Sequence, residues 1–489
     1  MARRSATRRE FLTLIGSGAA AVALSGCRRG RSVTLSAPAG GAFAQPEVLS
    51  SRDGRLAVTL TAQAGAVPYG SATRYAYTYN GSTPGPTLRV RPGDQLVVTL
   101  VNELDADTNL HTHGLHVSPL GGADNIFIVV PPGGSHTYTY DIPVDHRSGL
   151  FWYHPHAHGH VADQIAAGLA GAIVVTDAID DRAEMAASTE RLWILADPPI
   201  GSGVGSMATS AMTRMQGREG DRVLVNGIAE PDVAVLAGAL ERWRLVNASA
   251  ARYYRLALDG HQVNVIASDG GRLIAPVAVN EILLAPGERT ELLVTPMQSG
   301  VYRFRALAYD RGSAGMAGGT MGGRGGARGV TPIATMTVTG VAAAASLPAV
   351  LADAAPMPQP SAQPSRTITL AMGAGAGGMG SGGSMMSLTI DGKTFDATRT
   401  DIAARLGSVE EWTVRNTSAM DHPFHLHVWP FQIVDGPRTS GWKDTVNVPA
   451  GGEVRIRIPV ADFAGRTVYH CHILDHEDLG MMGVIDVAQ

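Results

Sequence analysis

The sequence predicts an all-β protein of three consecutive Greek-key β-sandwich domains, and three observations carry that prediction. The first is a strand-like segment that recurs three times. Gly93 to Asn102 (GDQLVVTLVN), Gly238 to Asn247 (GALERWRLVN) and Gly407 to Asn416 (GSVEEWTVRN) each open on a turn glycine, alternate apolar residues and close on Asn. Alternation at period two is the mark of a half-buried strand. The second is another trio in the same order, Gly149 to His154, Gly300 to Arg305 and Gly465 to His470, preceded by turns at Pro132-Gly133, Pro286-Gly287 and Pro449-Ala450-Gly451. A repeated order of segments indicates a repeated module. The third is composition. The chain has 59 Gly and 28 Pro and no long amphipathic helix between the runs, which favours short strands and turns over α/β units.

Taken in order, the chain opens on an address. Residues 1–27 carry Arg3, Arg4, Arg8 and Arg9, continue through apolar residues from Phe11 to Leu24, and end at Leu24-Ser25-Gly26-Cys27. The apolar stretch is shorter than the roughly 20 residues that span a membrane. The run Thr7-Arg8-Arg9-Glu10-Phe11-Leu12 resembles a twin-arginine export signal, and Leu24 to Cys27 resembles a lipoprotein cleavage box. The expected location is therefore the periplasm or cell envelope, with a membrane tether through a lipidated Cys27. Residues 28–45 read as a tether, 46–178 as the first sandwich and 179–340 as the second. The Ala/Pro-rich stretch 341–365, with Pro356, Pro358, Pro360 and Pro364, reads as an exposed linker, and 366–489 as the third sandwich. A length of 489 residues with 45% hydrophobic and 17% charged residues supports several ordinary cores and excludes a disordered chain. Lys+Arg 39 against Asp+Glu 43 leaves a net charge of -4, without the basic excess that nucleic acid binding demands. A monomer is expected.

The repeats expose the chemistry. Nine and eleven residues after the closing Asn stand His111 and His113 in the first copy, His425 and His427 in the third, and Leu256 and Leu258 in the second. Five and seven residues after the glycine of the second trio stand His154 and His156, His470 and His472, and in the middle copy Arg305 and Leu307. Residues i and i+2 of a strand point to one face, so each His-X-His pair aims two imidazoles the same way. The outer sandwiches are expected to meet face to face, with the middle one as a spacer. Eight imidazoles without a carboxylate suit copper or zinc, and they exceed the four ligands of a closed zinc site. They imply a cluster. There are two cysteines, so a lipidated Cys27 leaves Cys471 without a disulfide partner. Cys471 lies between His470 and His472 and faces the opposite way, toward a second metal on the far side of the strand. His422, His476 and Met481 lie where a His2Cys site with a weak thioether ligand needs them, a blue-copper constellation.

Four motifs carry a resemblance over most of residues 46–489: His111-Thr-His113-Gly, Trp152-Tyr-His154-Pro-His156, His422-Pro-Phe-His425-Leu-His427, and His470-Cys471-His472-Ile-Leu-Asp-His476 followed by Gly480-Met481. The sequence resembles a three-domain multicopper oxidase of the laccase and copper-efflux oxidase type, whose sandwiches are cupredoxin-like. The resemblance implies four copper ions. The type 1 copper takes His422, Cys471, His476 and Met481, and the type 2 copper takes His111 and His425. One type 3 copper takes His113, His154 and His472, and the other His156, His427 and His470. It also implies one-electron oxidation of a reductant, electron transfer from Cys471 through His470 and His472, and four-electron reduction of O2 to water. Asp124 and Glu477 become proton relays beside the cluster.

The remaining histidines read differently. His116, His158 and His160, just past ligand motifs, read as solvated or hydrogen-bonded bystanders, and His136, His146 and His261 as structural. Two Gly/Met segments, 312–329 with Met316 and Met321 and 371–386 with Met372, Met379, Met385 and Met386, offer soft thioethers to Cu(I), as do Met207, Met212 and Met215; an ordinary mobile loop is the competing reading of each. Asp421, beside His422, either binds an incoming cation or orients a phenol. The favoured role is oxidation of Cu(I) or another metal ion in copper homeostasis. The alternatives are a laccase-like oxidase of phenols or aromatic amines and, third, a non-enzymatic copper-binding envelope protein.

Overall fold

In the computed structural model each predicted sandwich is a pair of β-sheets. The structure describes residues 41–70, 72–199, 209–313, 329–343, 346–352, 357–360, 365–373, 387–437 and 441–489. The export segment with Cys27, residues 28–40 of the tether, Met207, Met316, Met321, Met379, Met385 and Met386 lie outside the described residues. The first sandwich stacks a five-stranded sheet, ordered Val48–Ser50, Thr87–Val90, Gly171–Val175, Gly149–His154 and His111–His113, on a four-stranded one. The second pairs seven strands with five, and the third pairs six with five. Each pair encloses its own apolar core, around Leu100 and Tyr138 in the first, Trp193 and Trp243 in the second, and Trp412 and Phe424 in the third.

The repeated Asn explains why the modules resemble one another. The strands Gln95–Asn102, Glu241–Asn247 and Ser408–Asn416 follow glycines with φ of 87°, 84° and 79°, a turn conformation that suits a residue without Cβ. At each strand's end the buried Asn amide ties two carbonyls together. Asn102 donates to Ala106 and Val130, Asn247 to Arg252 and Leu284, and Asn416 to Met420 and Val448, at 2.7 to 3.0 Å. Its carbonyl oxygen accepts the amide two residues on, from Leu104, Ser249 or Ser418. A buried polar side chain with every partner supplied fixes the chain's direction. The path of the chain beyond the Asn is thereby set, and in the outer copies the histidine pairs follow nine and eleven residues later.

The connecting segments are partly held. The tether's end is not free: Phe43 packs its ring 4.8 Å from Trp193, its amide donates to Asp232, and Asn226 holds the Ala44 carbonyl, because one aromatic ring suffices to seat an otherwise plain segment. Among the described residues of the linker, most are exposed and two points are held. Leu351 is fully buried among Met185, Leu240, Ile266 and Leu293, and Arg457 donates to the Pro358 carbonyl. No helix among the described residues is long and apolar enough to cross a membrane.

Candidate metal centre

Register, more than local sequence, assembles the centre. The strand His111–His113 pairs antiparallel with Gly149–His154, placing His111 opposite His154 and His113 opposite Trp152. In the third sandwich His422–Leu426 pairs with Gly465–Cys471, placing His425 opposite His470 and Phe424 opposite Cys471. These two strand pairs then meet face to face. His113 stacks on His425 with ring centroids 3.8 Å apart, and His111 on His427 at 3.9 Å. All eight imidazoles of the four His-X-His pairs are buried in one cluster, as the period-two argument requires.

The donor atoms suit metal ions. Two nitrogens bound about 2.0 Å from one ion at tetrahedral angles lie roughly 3.3 Å apart. His156 Nε2 lies 3.2 Å and His427 Nε2 3.1 Å from His470 Nε2, and His154 Nε2 lies 3.4 Å from His113 Nδ1. Donor atoms of His156, His427 and His470 fall within 4.8 Å of one another, as do those of His111, His113 and His154. His472 joins through its ring, 5.0 Å from His113. The buried atoms His111 Nε2, His425 Nε2 and both nitrogens of His472 have no hydrogen-bond partner. Each such atom costs about 1–3 kcal/mol unless something else receives it, and a cation would. Burial first, and then neighbouring rings, hold His111, His156, His427, His470 and His472 well below the usual imidazole pKa; His154 is held near about 3 by burial. The rings are thus neutral and their lone pairs free to bind metal.

Outer partners orient these rings. His111 Nδ1 donates to Asp124 at 3.0 Å, His154 Nδ1 to the Pro155 carbonyl at 2.8 Å, and His470 Nδ1 to the Cys471 carbonyl at 3.0 Å. Glu477 lies 3.4 Å from His156 Nδ1 and 3.2 Å from His470 Nδ1. Burial, with Asp478 beside it, pushes the Glu477 carboxyl well above the usual range, and burial raises Asp124 to about 7 against the hydrogen bonds from Thr112. Sequence reasoning missed Asp444. Its carboxylate accepts from His113 Nε2 at 3.0 Å and its carbonyl from His425 Nδ1 at 2.9 Å. Burial would raise Asp444, but the Arg289 charge and its hydrogen bonds hold it well below the carboxylate range. Asp444 is a single residue between the strands Trp442–Lys443 and Thr445–Val448, and spacing alone does not single it out.

On the far side of the same strand, Cys471 Sγ lies 3.3 Å from His422 Nδ1 and 3.7 Å from His476 Nδ1, and the two nitrogens are 3.4 Å apart. This is the triangle a three-ligand site presents. His422 Nε2 is engaged by Ser418 Oγ at 2.7 Å and His476 Nε2 by the Met215 carbonyl at 3.0 Å, so both rings offer Nδ1 inward. Met481 is fully buried in the same core, its backbone bonded to Cys471 and His476. Burial pushes the Cys471 thiol up, and a bound cation is what makes a buried thiolate stable.

The other histidines stay apart from the cluster. His116 bridges the Val428 carbonyl and Asp462, His146 accepts from the His116 amide, and His261 bonds the Asp259 carbonyl. His158 packs against Phe395, His136 against Tyr138, and His160 precedes the helix Val161–Ala167. Asp421 is turned inward, accepting from Tyr309, Asn447 and the Ala450 amide.

Family models described as multicopper oxidase match residues 61–179, 201–322 and 365–489. A multicopper oxidase of Staphylococcus haemolyticus is 30% identical over 461 residues, covering 91% of this chain and 92% of its own. The cell division protein FtsP of Shigella dysenteriae is 30% identical over 520 residues, covering 98% of both. A solved multicopper oxidase from Campylobacter jejuni, described as a metallo-oxidase, superposes with a TM-score of 0.78 at 29% identity, over 92% of this chain and 96% of the other. From a donor set suited to copper and kinship along nearly the whole chain, this protein belongs to the multicopper oxidase family and is a copper-dependent oxidoreductase that uses O2.

Proposed function

We propose that this chain oxidises Cu(I) or another small metal ion and serves copper homeostasis in the cell envelope. The observation that carries this reading is the cover over His476. Its ring is fully buried and its outer nitrogen is occupied by the Met215 carbonyl, on the short helix Ala211–Gln216 of the middle sandwich. A phenol has no free imidazole N–H to bond there. On the exposed side of that helix stands Met212, 62% exposed, a soft thioether suited to a cuprous ion. The Campylobacter relative, described as a metallo-oxidase, supports this reading.

In this proposal four copper ions are held as the motifs imply: type 1 by His422, Cys471, His476 and Met481, type 2 by His111 and His425, and type 3 by His113, His154 and His472 and by His156, His427 and His470. The free Nε2 atoms of His111 and His425 support the type 2 pair. When bound, copper supplies one-electron oxidation of the reductant and four-electron reduction of O2 to water. The chain does the rest. Cys471 joins the two sites covalently through its neighbours His470 and His472, the buried rings exclude water, and Glu477 and Asp124 hold protons at carboxyl oxygens within reach of His156, His470 and His111. The Arg8-Arg9 signal supports twin-arginine export, with a lipid tether at Cys27, and the protein acts as a monomer.

Oxygen uptake by the copper-loaded protein, with Cu(I) and with a phenol as reductant, tests the substrate. We expect kcat/KM for Cu(I) at least about tenfold higher, and a phenol preference would overturn the reading. Replacing Arg8 and Arg9 by Lys should strand the protein in the cytoplasm; unchanged export would remove the twin-arginine route. The name of the Shigella relative, a cell division protein, raises a second reading, a role in cell division, and absence of any oxygen uptake would favour it.

A further inference from the structure

We propose that Arg289, from the sandwich that carries none of the histidine pairs, is a positioning residue for the trinuclear site, holding His113 in the orientation that presents Nδ1 to copper. This rests on the copper assignment above. Arg289 opens the strand Arg289–Val294 and is almost wholly buried. Its guanidinium has five N–H donors, and five acceptors meet them. Nη1 and Nη2 grip the Asp444 carboxylate in a fork at 2.7 and 2.6 Å, Nη2 also donates to the Asp269 carbonyl at 2.9 Å, Nη1 to Gly287 at 3.3 Å, and Nε to Leu150 at 3.1 Å. Those acceptors span all three sandwiches. Leu150 lies on the strand that ends at His154, in the first sandwich; Gly287 and Asp269 belong to the second; Asp444 belongs to the third.

The fork leaves Asp444 little freedom. One of its gripped oxygens, Oδ1, accepts His113 Nε2 at 3.0 Å, and Thr445 Oγ1 donates to the same oxygen at 2.9 Å. With Nε2 committed as a donor, Nδ1 of His113 is the nitrogen left bare, facing His154 Nε2 at 3.4 Å. Bidentate Arg–carboxylate pairing adds geometric as well as energetic definition. Two further contacts show how closely the middle sandwich is fitted here. A Cβ at Gly114 would lie 2.3 Å from Arg289 Nη2 and 2.5 Å from Asp444 Oδ2, so the glycine after His113 makes room for the fork. A Cβ at Gly287 would lie 2.9 Å from the His472 ring, so the middle sandwich's turn abuts a second ligand. The expected spacer therefore takes part in the site.

The test uses the full-length, copper-loaded protein and its Arg289→Met, Arg289→Lys and Asp444→Asn variants, comparing copper content, the type 1 visible band and the near-ultraviolet and paramagnetic signals of the other coppers. Arg289 touches none of the type 1 ligands. Arg289→Met is therefore expected to keep the blue band while trinuclear copper is held about ten- to a hundredfold more weakly with altered signals, and Arg289→Lys, with the charge but no fork, to recover only part. Full trinuclear occupancy with unchanged signals in Arg289→Met overturns the proposal, as does loss of both copper classes in parallel, which marks a merely structural role. Where Arg289→Met does not fold, Asp444→Asn decides by the same two outcomes. Failure of the copper assignment itself is read separately, in the wild-type protein, as fewer than four coppers per chain.

Discussion

Cys471 answers two demands at once, being a strand residue turned into the third sandwich's core and the covalent link between two histidines turned out of it. Period-two geometry makes that division obligatory, so its neighbours cannot share its metal. Replacing Cys471 with Ser removes the soft ligand while preserving shape. Visible absorption should vanish and oxygen uptake fall by about a thousandfold or more, while the histidine cluster keeps its copper; a blue, active Cys471→Ser protein would refute the type 1 assignment. Ser418 shows what the linear sequence conceals. Its hydroxyl fixes His422 by a 2.7 Å hydrogen bond, yet a serine four residues before a histidine carries no signal.

Among the elements, the junction of the first two sandwiches depends on half-buried charge. Glu190, on the strand Thr189–Ala196, is bonded to Arg89 of the first sandwich and to Arg244 of the adjacent strand at 2.8 Å. Burial would raise its pKa, but the charges of Arg244 and Arg89 outweigh that and hold it near about 2, below the ordinary 4.5. A depressed carboxylate stabilises the fold fully above its unfolded pKa, and the benefit is lost as pH falls through the folded value. The side chain is 29% exposed, so screening reduces the gain to at most about 3 kcal/mol. Denaturant titrations of Glu190→Gln should show a less stable protein at pH 7, with the difference from wild type closing between pH 4.5 and 2. A gap that persists at pH 2 would mean that packing, not charge, is lost.

At the scale of the whole molecule, ligands from the first and third sandwiches converge on one cluster, so copper is a cross-link between distant parts of the chain. Anything that binds the native state alone stabilises it by RT ln(1 + [L]/Kd), about 4 kcal/mol at a thousandfold excess over Kd. Removing copper with a chelator should therefore lower the calorimetric Tm by several degrees and restore it on reloading; identical transitions with and without copper would mean that the sandwiches dock without the metal's help.

The sequence by itself determined the three repeated sandwiches, singled out the ten histidines and Cys471 as candidate ligands, and divided Cys471 from His470 and His472, because strand periodicity and spacing are local properties. Tertiary structure decided what depends on approach between distant segments. It set which rings stack across the interface, tucked Asp421 into a network with Tyr309 and Asn447, and seated Phe43 at the end of the tether and Leu351 within the linker. It also brought Arg289 to Asp444, 155 residues away along the chain. No periodicity encodes such a pairing. Only the packing of three cores brings a buried cation and its carboxylate together, and neither could be left there alone.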